Sequence, residues 1–282
     1  MALTISSVCK NITPSTTLRL NALVNEKKQQ GLDVISLAAG EPDFATPSHI
    51  CLAGKHAIDT GKTKYTASSG IPELRRALSD FLLAHRGLRY KPGQLIVGTG
   101  AKQVLLGALQ AILEPGDEVL LPAPCWLSYP EMVRMAGGVP VIVHTDMAQG
   151  YLPTPAQLAQ AVTARTRAII LNTPNNPTGV VYSRECLEGL SSALSARCDV
   201  LGREPVCILS DEPYSRLAYD GAEVPPVLSI FPAAMVINSF SKSHALPGAR
   251  IGYIALRPDM PEADALFSAL AYTTRTLGYV NA

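Results

Sequence analysis

"MVINSFSKSHALPGARIGYIAL", residues 235–256, sets two short apolar runs, 235–237 and 251–256, on either side of a crowded polar segment. Within that segment stand Ser239, Ser241, Lys242, Ser243, His244 and Arg250. Similar runs rich in Val, Ile and Leu recur at 95–97, 119–121, 139–143, 168–171 and 206–209. They are continuously apolar rather than alternating, which is the pattern of strands covered on both faces. Helical periodicity appears at 48–60, at 72–85 with Pro72 as a first-turn proline, at 101–113 and at 184–196. Strands interleaved with helices in this way predict an α/β fold, a three-layer α/β/α sandwich around a mainly parallel sheet.

Five of the runs lead directly into unusual polar segments. "GTGAKQ" comes after 95–97, "PAPCWLSY" after 119–121, "NTPNNPTG" after 168–171, "SDEPY" after 206–209 and "NSFSK" after 235–237. Open parallel sheets bind ligands outside the carboxyl ends of their strands. Five loops from distant parts of the chain are therefore expected to converge on one site.

The composition narrows the classes of function. The 282 residues are 47% hydrophobic and 17% charged, with a formal net charge of +1, so no electrostatic case exists for nucleic acid or an anionic membrane as partner. The six cysteines show no CxxC pairing and the five histidines form no metal-ligand cluster, which reads as reduced thiols in a cytoplasmic protein without a metal. "MALTISSVCKNITPSTTLRL" (1–20) lacks the basic and apolar regions of a secretory signal, and no run approaches a membrane span.

The loops suggest a chemistry. In "IVGTGAKQVLLGALQAIL" (96–113), strand, glycine turn and amphipathic helix place free backbone N–H groups and a helix dipole at the turn, an anion site. The spacing is neither a P-loop nor a dinucleotide fingerprint, which disfavours a nucleotide. A lysine at a strand end, shielded and near other cations, has a lowered pKa and acts as a nucleophilic amine. Ser239 and Arg250 beside it suit a phosphate, which a guanidinium grips with its planar fork. Nucleophilic lysine plus phosphate cradle is what pyridoxal 5'-phosphate requires. Asp211, just past the run 206–209, suits the pyridine nitrogen of that cofactor, and Asn176 and Tyr214 its phenolic oxygen. Trp126, the only tryptophan, offers a flat face for the ring.

In this order, "NNPTG", "SDEPY" and "SFSKSHALPGARIGY" resemble fold-type I pyridoxal-phosphate enzymes, in particular class I/II aminotransferases of the aspartate aminotransferase-like branch. "SLAAGEPDFATP" (36–47), "GKTKYTASSGIPELRRAL" (61–78), "GTGAKQ" and "EPGDEVLLPAPCWLSYPEMVRMAGG" (114–138) extend the likeness over nearly the whole chain. The resemblance implies that Lys242 is the Schiff-base lysine and proton shuttle and that Asp211 partners the pyridine nitrogen. It makes Asn176 and Tyr214 the hydrogen-bond partners of the ring oxygen and Trp126 the stacking residue. Ser239, Arg250 and the backbone at Ala101 and Lys102 become the phosphate ligands. Tyr65 resembles a tyrosine that reaches the phosphate of a second subunit, implying a homodimer, and Gly40 a glycine lying against the substrate carboxylate. His244 receives no assignment and reads equally as a packing residue or a participant. The activity implied is transfer of an amino group between an L-amino acid and a 2-oxo acid.

The resemblance also implies an organisation. Residues 1–45 read as an N-terminal arm associated with a small domain, and 46–282 as the large cofactor-binding domain. "AYTTRTLGYVNA" (271–282) resembles the approach to a long helix that leads, in the family, into a carboxy-terminal small domain with a substrate-carboxylate arginine. No counterpart of that domain follows in this sequence, and neither Arg257 nor Arg275 sits in the arginine's motif. Other readings of the same residues are a carbon–sulfur lyase or synthase on this scaffold, a cofactor-binding domain with little turnover, and a non-catalytic module of a regulator. No winged-helix segment or basic stripe precedes residue 36 to support the last.

Overall fold

The computed structural model describes residues 4–10, 12, 16–37, 40–260 and 262–278. Residues 38 and 39 of the motif at 36–47, and 279–282 of the stretch at 271–282, lie outside that set. The chain divides into two compact units, Met1–Ala45 and Thr46–Ala282. The first contains the helices α1 (Ser7–Lys10) and α2 (Thr16–Gln29).

The second unit is built on seven strands: β1 (Leu95–Gly98), β2 (Glu118–Ala123), β3 (Val139–His144), β4 (Thr166–Asn172), β5 (Cys207–Asp211), β6 (Ala234–Ser239) and β7 (Gly252–Leu256). All seven apolar runs form strands. Around them lie α3 (Ser48–Asp59), α4 (Pro72–Arg86), α5 (Ala101–Ile112), α6 (Ser128–Met135), α7 (Pro155–Ala161), α8 (Arg184–Leu201) and α9 (Ala263–Thr276). The strand order is β1-β7-β6-β5-β4-β2-β3. β3, β2, β4, β5 and β6 pair in parallel, whereas β7 runs antiparallel to both β6 and β1. β1 therefore points the same way as β6, and the loops after β1, β2, β4, β5 and β6 all emerge at one edge.

The continuous apolar character of the strands has a direct cause. Alternate residues enter two separate cores. Ile169, Leu171, Ile208, Val236 and Tyr253 face one, which α4, α7 and α8 close with Leu78, Leu158 and Leu187. Ala168, Ile170, Leu209, Ile237 and Ile254 face the other, closed by α5, α6 and α9 with Leu109, Tyr129 and Leu270. Both faces of the sheet are thus desolvated, the arrangement that parallel crossovers produce.

β7 brings the loop after β1 close to the loop after β6. At its first residue, a β-carbon on Gly252 would stand 2.6 Å from the Ala101 nitrogen and the Gly100 carbonyl carbon and 2.8 Å from the Asn238 oxygen. All three are backbone atoms, so none can swing aside. Gly252→Ala is expected to cost about 1–3 kcal/mol through forced backbone displacement. Urea unfolding measures it, and an unchanged midpoint would show that this close approach does not exist.

Candidate functional site

Asp211 ends β5 in register with Asn172 of β4 and Ile237 of β6. Strand direction and side-chain alternation place its carboxylate at the loop-bearing edge, on the face closed by α5 and α6. It is 4% exposed. Tyr129, buried in the first turn of α6, donates from its hydroxyl to Oδ2 of Asp211 at 2.6 Å. The other oxygen, Oδ1, is buried and has no hydrogen-bond partner among the described residues. Burial pushes the carboxyl up from its usual 3.8 to about 6, and the Tyr129 hydrogen bond moderates the rise. A buried anion with an unpartnered acceptor is costly unless a donor arrives.

Two chains of contacts lead away from Asp211. On one side, Asn172 Nδ2 donates to the Asp211 carbonyl at 2.8 Å, and its Oδ1 accepts from the Asn176 backbone at 2.7 Å. Asn176 Nδ2 in turn donates to the Tyr214 hydroxyl at 3.4 Å. The Lys242 ammonium stands 5.9 Å from the centre of the Tyr214 ring. Burial, reinforced by the Asp211 charge, raises the Tyr214 pKa.

On the other side, Tyr129 meets Trp126 edge to face, with ring centres 5.4 Å apart. The Lys102 ammonium lies 4.6 Å from the centre of the Trp126 ring, a cation–π distance. Partial burial, then the Arg250 guanidinium, lower the Lys102 pKa. Arg250 lies against Gly100, where a β-carbon would meet its guanidinium nitrogen at 2.7 Å. Gly100 has φ +91° and caps α5, whose first residues are Ala101 and Lys102. The first-turn N–H groups of a helix have no intrahelical partners and attract anions. Ser239, buried at the end of β6, accepts at its hydroxyl from the Ser241 backbone at 3.4 Å.

The structure thus joins Asp211, Asn176, Tyr214 and Lys242 in one series, and Trp126, Lys102, Ala101 and Arg250 in another, with Tyr129 as the link. Tyr65 is not drawn in: its side chain is 95% exposed. Gly40 belongs to the first unit and is exposed. Arg257 lies at the end of β7, opposite the loop-bearing edge, where it pairs with Asp259 and donates to the Phe231 carbonyl at 2.6 Å. His244 packs edge to face on Phe240 and shares a hydrogen bond with Ser243 at 2.8 Å. Tyr129 and Asn172 were not singled out from the sequence. The cue for Tyr129 was its spacing, three residues after Trp126 at the start of a helix.

The Asp211 carboxyl makes stability depend on pH in a calculable direction. Below about pH 3.8 it is protonated in both the folded and the unfolded chain. Between 3.8 and 6 the unfolded chain loses the proton while the folded one retains it, so stability falls as pH rises. Above about pH 6 the loss is complete, at about 3 kcal/mol. Without cofactor, Asp211→Asn should therefore gain stability over the parent on going from pH 4 to pH 7.5, by up to that amount. Paired urea titrations test this, and a difference that does not change with pH would refute the desolvated carboxylate.

The sequence profile of the family described as "Aminotransferase class I and II" matches residues 32–279. The aspartate aminotransferase of Bacillus sp. (strain YM-2) is 45% identical over 258 residues, covering 90% of this chain and 64% of that protein. The aspartate/prephenate aminotransferase of Cereibacter sphaeroides is also 45% identical over 258 residues, covering 89% of this chain and 62% of that protein. Among solved structures, an aspartate aminotransferase from Thermus thermophilus with maleate aligns at a TM-score of 0.90 and 39% identity, covering 99% of this chain and 70% of that one. The chain spans a little under two thirds of the length of these curated relatives.

Proposed function

The chain belongs to the class I and II aminotransferases, a family dependent on pyridoxal 5'-phosphate, and on that premise we propose that it moves an amino group between an L-amino acid and a 2-oxo acid. The observation that carries the reading is the buried Asp211 carboxylate with one oxygen unpartnered. A protonated pyridine nitrogen is the donor that this oxygen lacks. The phosphate end of the cofactor fits the α5 amino end, where Gly100 leaves room for the Arg250 guanidinium. The residues present therefore fit the group.

Bound there, the cofactor supplies an electron sink for the substrate Cα. The protein supplies the rest. Asp211 would hold the pyridine nitrogen protonated, and Tyr129 fixes the carboxylate through Oδ2, leaving Oδ1 for that donor. Asn176 and Tyr214 hydrogen-bond the phenolic oxygen, and Trp126 covers the ring. Ser239, Arg250 and the backbone of Ala101 and Lys102 hold the phosphate by charge-assisted bonds. Lys242 would be the residue that holds the aldehyde, and its Nζ the base that carries the Cα proton. The first unit, in this reading, is the arm that accompanies a small domain. The relatives' names make aspartate the first amino donor to test.

The second partner is another copy of the chain. α3 has no buried residue, and Leu52 and Ile58 on it are 63% and 69% exposed. Tyr65 is exposed six residues after that helix, so a homodimer would cover both and bring Tyr65 to the neighbouring phosphate. A cytoplasmic location agrees with the six free cysteines.

Borohydride reduction of the chain incubated with pyridoxal phosphate should fix the pyridoxyl group on the peptide containing Lys242, as read by mass spectrometry. Lys242→Ala should lose that adduct and the half-reaction with aspartate. An adduct confined to other lysines would refute the assignment. Tyr65→Phe should weaken cofactor affinity several-fold while light scattering still reports a dimer. A fully active monomer would contradict the shared site.

A further inference from the structure

On the face of the sheet away from the Asp211 carboxylate, a cavity of about 440 Å³ lies beneath α4. Its apolar wall is Leu74, Leu78, Phe81 and Leu82 of α4, with Val236 and Tyr253 of the sheet. Of the residues assigned to the cofactor, Ser239 lines it, whereas Lys242, Asp211, Asn176 and Trp126 do not. The volume is that of small-molecule sites, which combine apolar walls with a few polar groups.

The polar part of the lining includes hydroxyl, amide, imidazole and guanidinium groups. Glu212, 1% exposed, is the only carboxylate lining the cavity among the described residues, and it is already held by Arg86 and by the Ser210 hydroxyl at 2.8 Å. Arg86 also donates to the Val224 carbonyl at 2.8 Å. Of the other donors, Asn238 Nδ2 is engaged by Ser215 Oγ at 3.3 Å and Ser243 shares a hydrogen bond with His244, which leaves Tyr253 and Arg216. Tyr253 is 3% exposed, yet its hydroxyl makes no hydrogen bond among the described residues. Arg216 makes no ion pair or hydrogen bond among them either; its guanidinium rests 5.4 Å from the centre of the Phe81 ring. The two lie within electrostatic reach of each other. The Tyr253 phenol and the exposed Arg216 guanidinium, both on the cavity lining, are suited to an anion, and the surrounding Leu and Phe side chains favour an anion carried on an apolar body.

We propose that this cavity is a second ligand site, which takes a small carboxylic acid bearing an aromatic or branched apolar body. The body packs on the α4 wall. The carboxylate accepts from Arg216 and from the Tyr253 hydroxyl. The site stands on these groups alone and does not rest on the aminotransferase reading.

The test uses 3-phenylpropionate as probe and 3-phenylpropanamide as its uncharged control. Saturation-transfer NMR and calorimetry are run on the full chain with and without excess pyridoxal phosphate. The acid should bind in both conditions and the amide about tenfold more weakly, the size of one charge-assisted contact. Arg216→Gln, a change at an exposed side chain, should weaken the acid about tenfold. Tyr253→Phe should weaken it several-fold. Equal binding of acid and amide, no binding of the acid, or full affinity in Arg216→Gln would each overturn the proposal. Displacement by pyridoxal phosphate would do so as well, because the acid would then occupy the cofactor's place.

Discussion

A carboxylate is held out of water at the end of β5, with one oxygen bonded to Tyr129 and the other left open, and the remaining site is arranged around it. Burial alone opposes the charge on Asp211. Tyr129 offsets part of that opposition, and the rest persists in the chain without cofactor as a proton held to about pH 6. Such an arrangement is unfavourable for folding and suited to binding, because a cationic donor that reached Oδ1 would relieve it. Stability given up at a functional position in this way is a common trade.

The position of that carboxylate follows from the sheet. Five strands run toward the same edge as β5, and two cores hold them rigid from opposite sides. Alternation sends Asp211 toward Tyr129 on one face and Glu212 toward Arg86 on the other. Adjacent residues thereby enter different chemistry: a carboxylate with an open oxygen on one face, and a fully engaged ion pair beside an apolar cavity on the other. The antiparallel β7 completes the design by bringing Gly252 under the Gly100–Ala101 backbone, which sets the α5 amino end against the loop after β6.

Much of this was legible in the sequence because desolvation on both faces leaves a continuous apolar run. All seven strands announced themselves that way. The reversed direction of β7 did not, since a buried strand reads alike in either direction. α6 and α7 have eight and seven residues, too few for a periodic pattern to emerge, and α9 was visible only as the approach to a longer helix. Asp211, Asn176, Tyr214, Trp126 and Lys242 were legible because each comes shortly after an apolar run and offers a polar or aromatic group that the core has no use for. Tyr129 was hidden for the opposite reason: a tyrosine on a short amphipathic helix satisfies the core first, and its hydroxyl finds Asp211 through tertiary packing 82 positions away. The cavity beneath α4 left no mark in the sequence, because a void is made by neighbours distant along the chain.

The most direct measurement is a crystal structure of the chain grown with pyridoxal 5'-phosphate. The account predicts the pyridine nitrogen within about 2.9 Å of Asp211 Oδ1, the length of a charge-assisted hydrogen bond, with the aldehyde carbon joined to Lys242 Nζ. Density that turns the ring nitrogen away from Asp211, or leaves Oδ1 without a donor while the cofactor is bound, would contradict it.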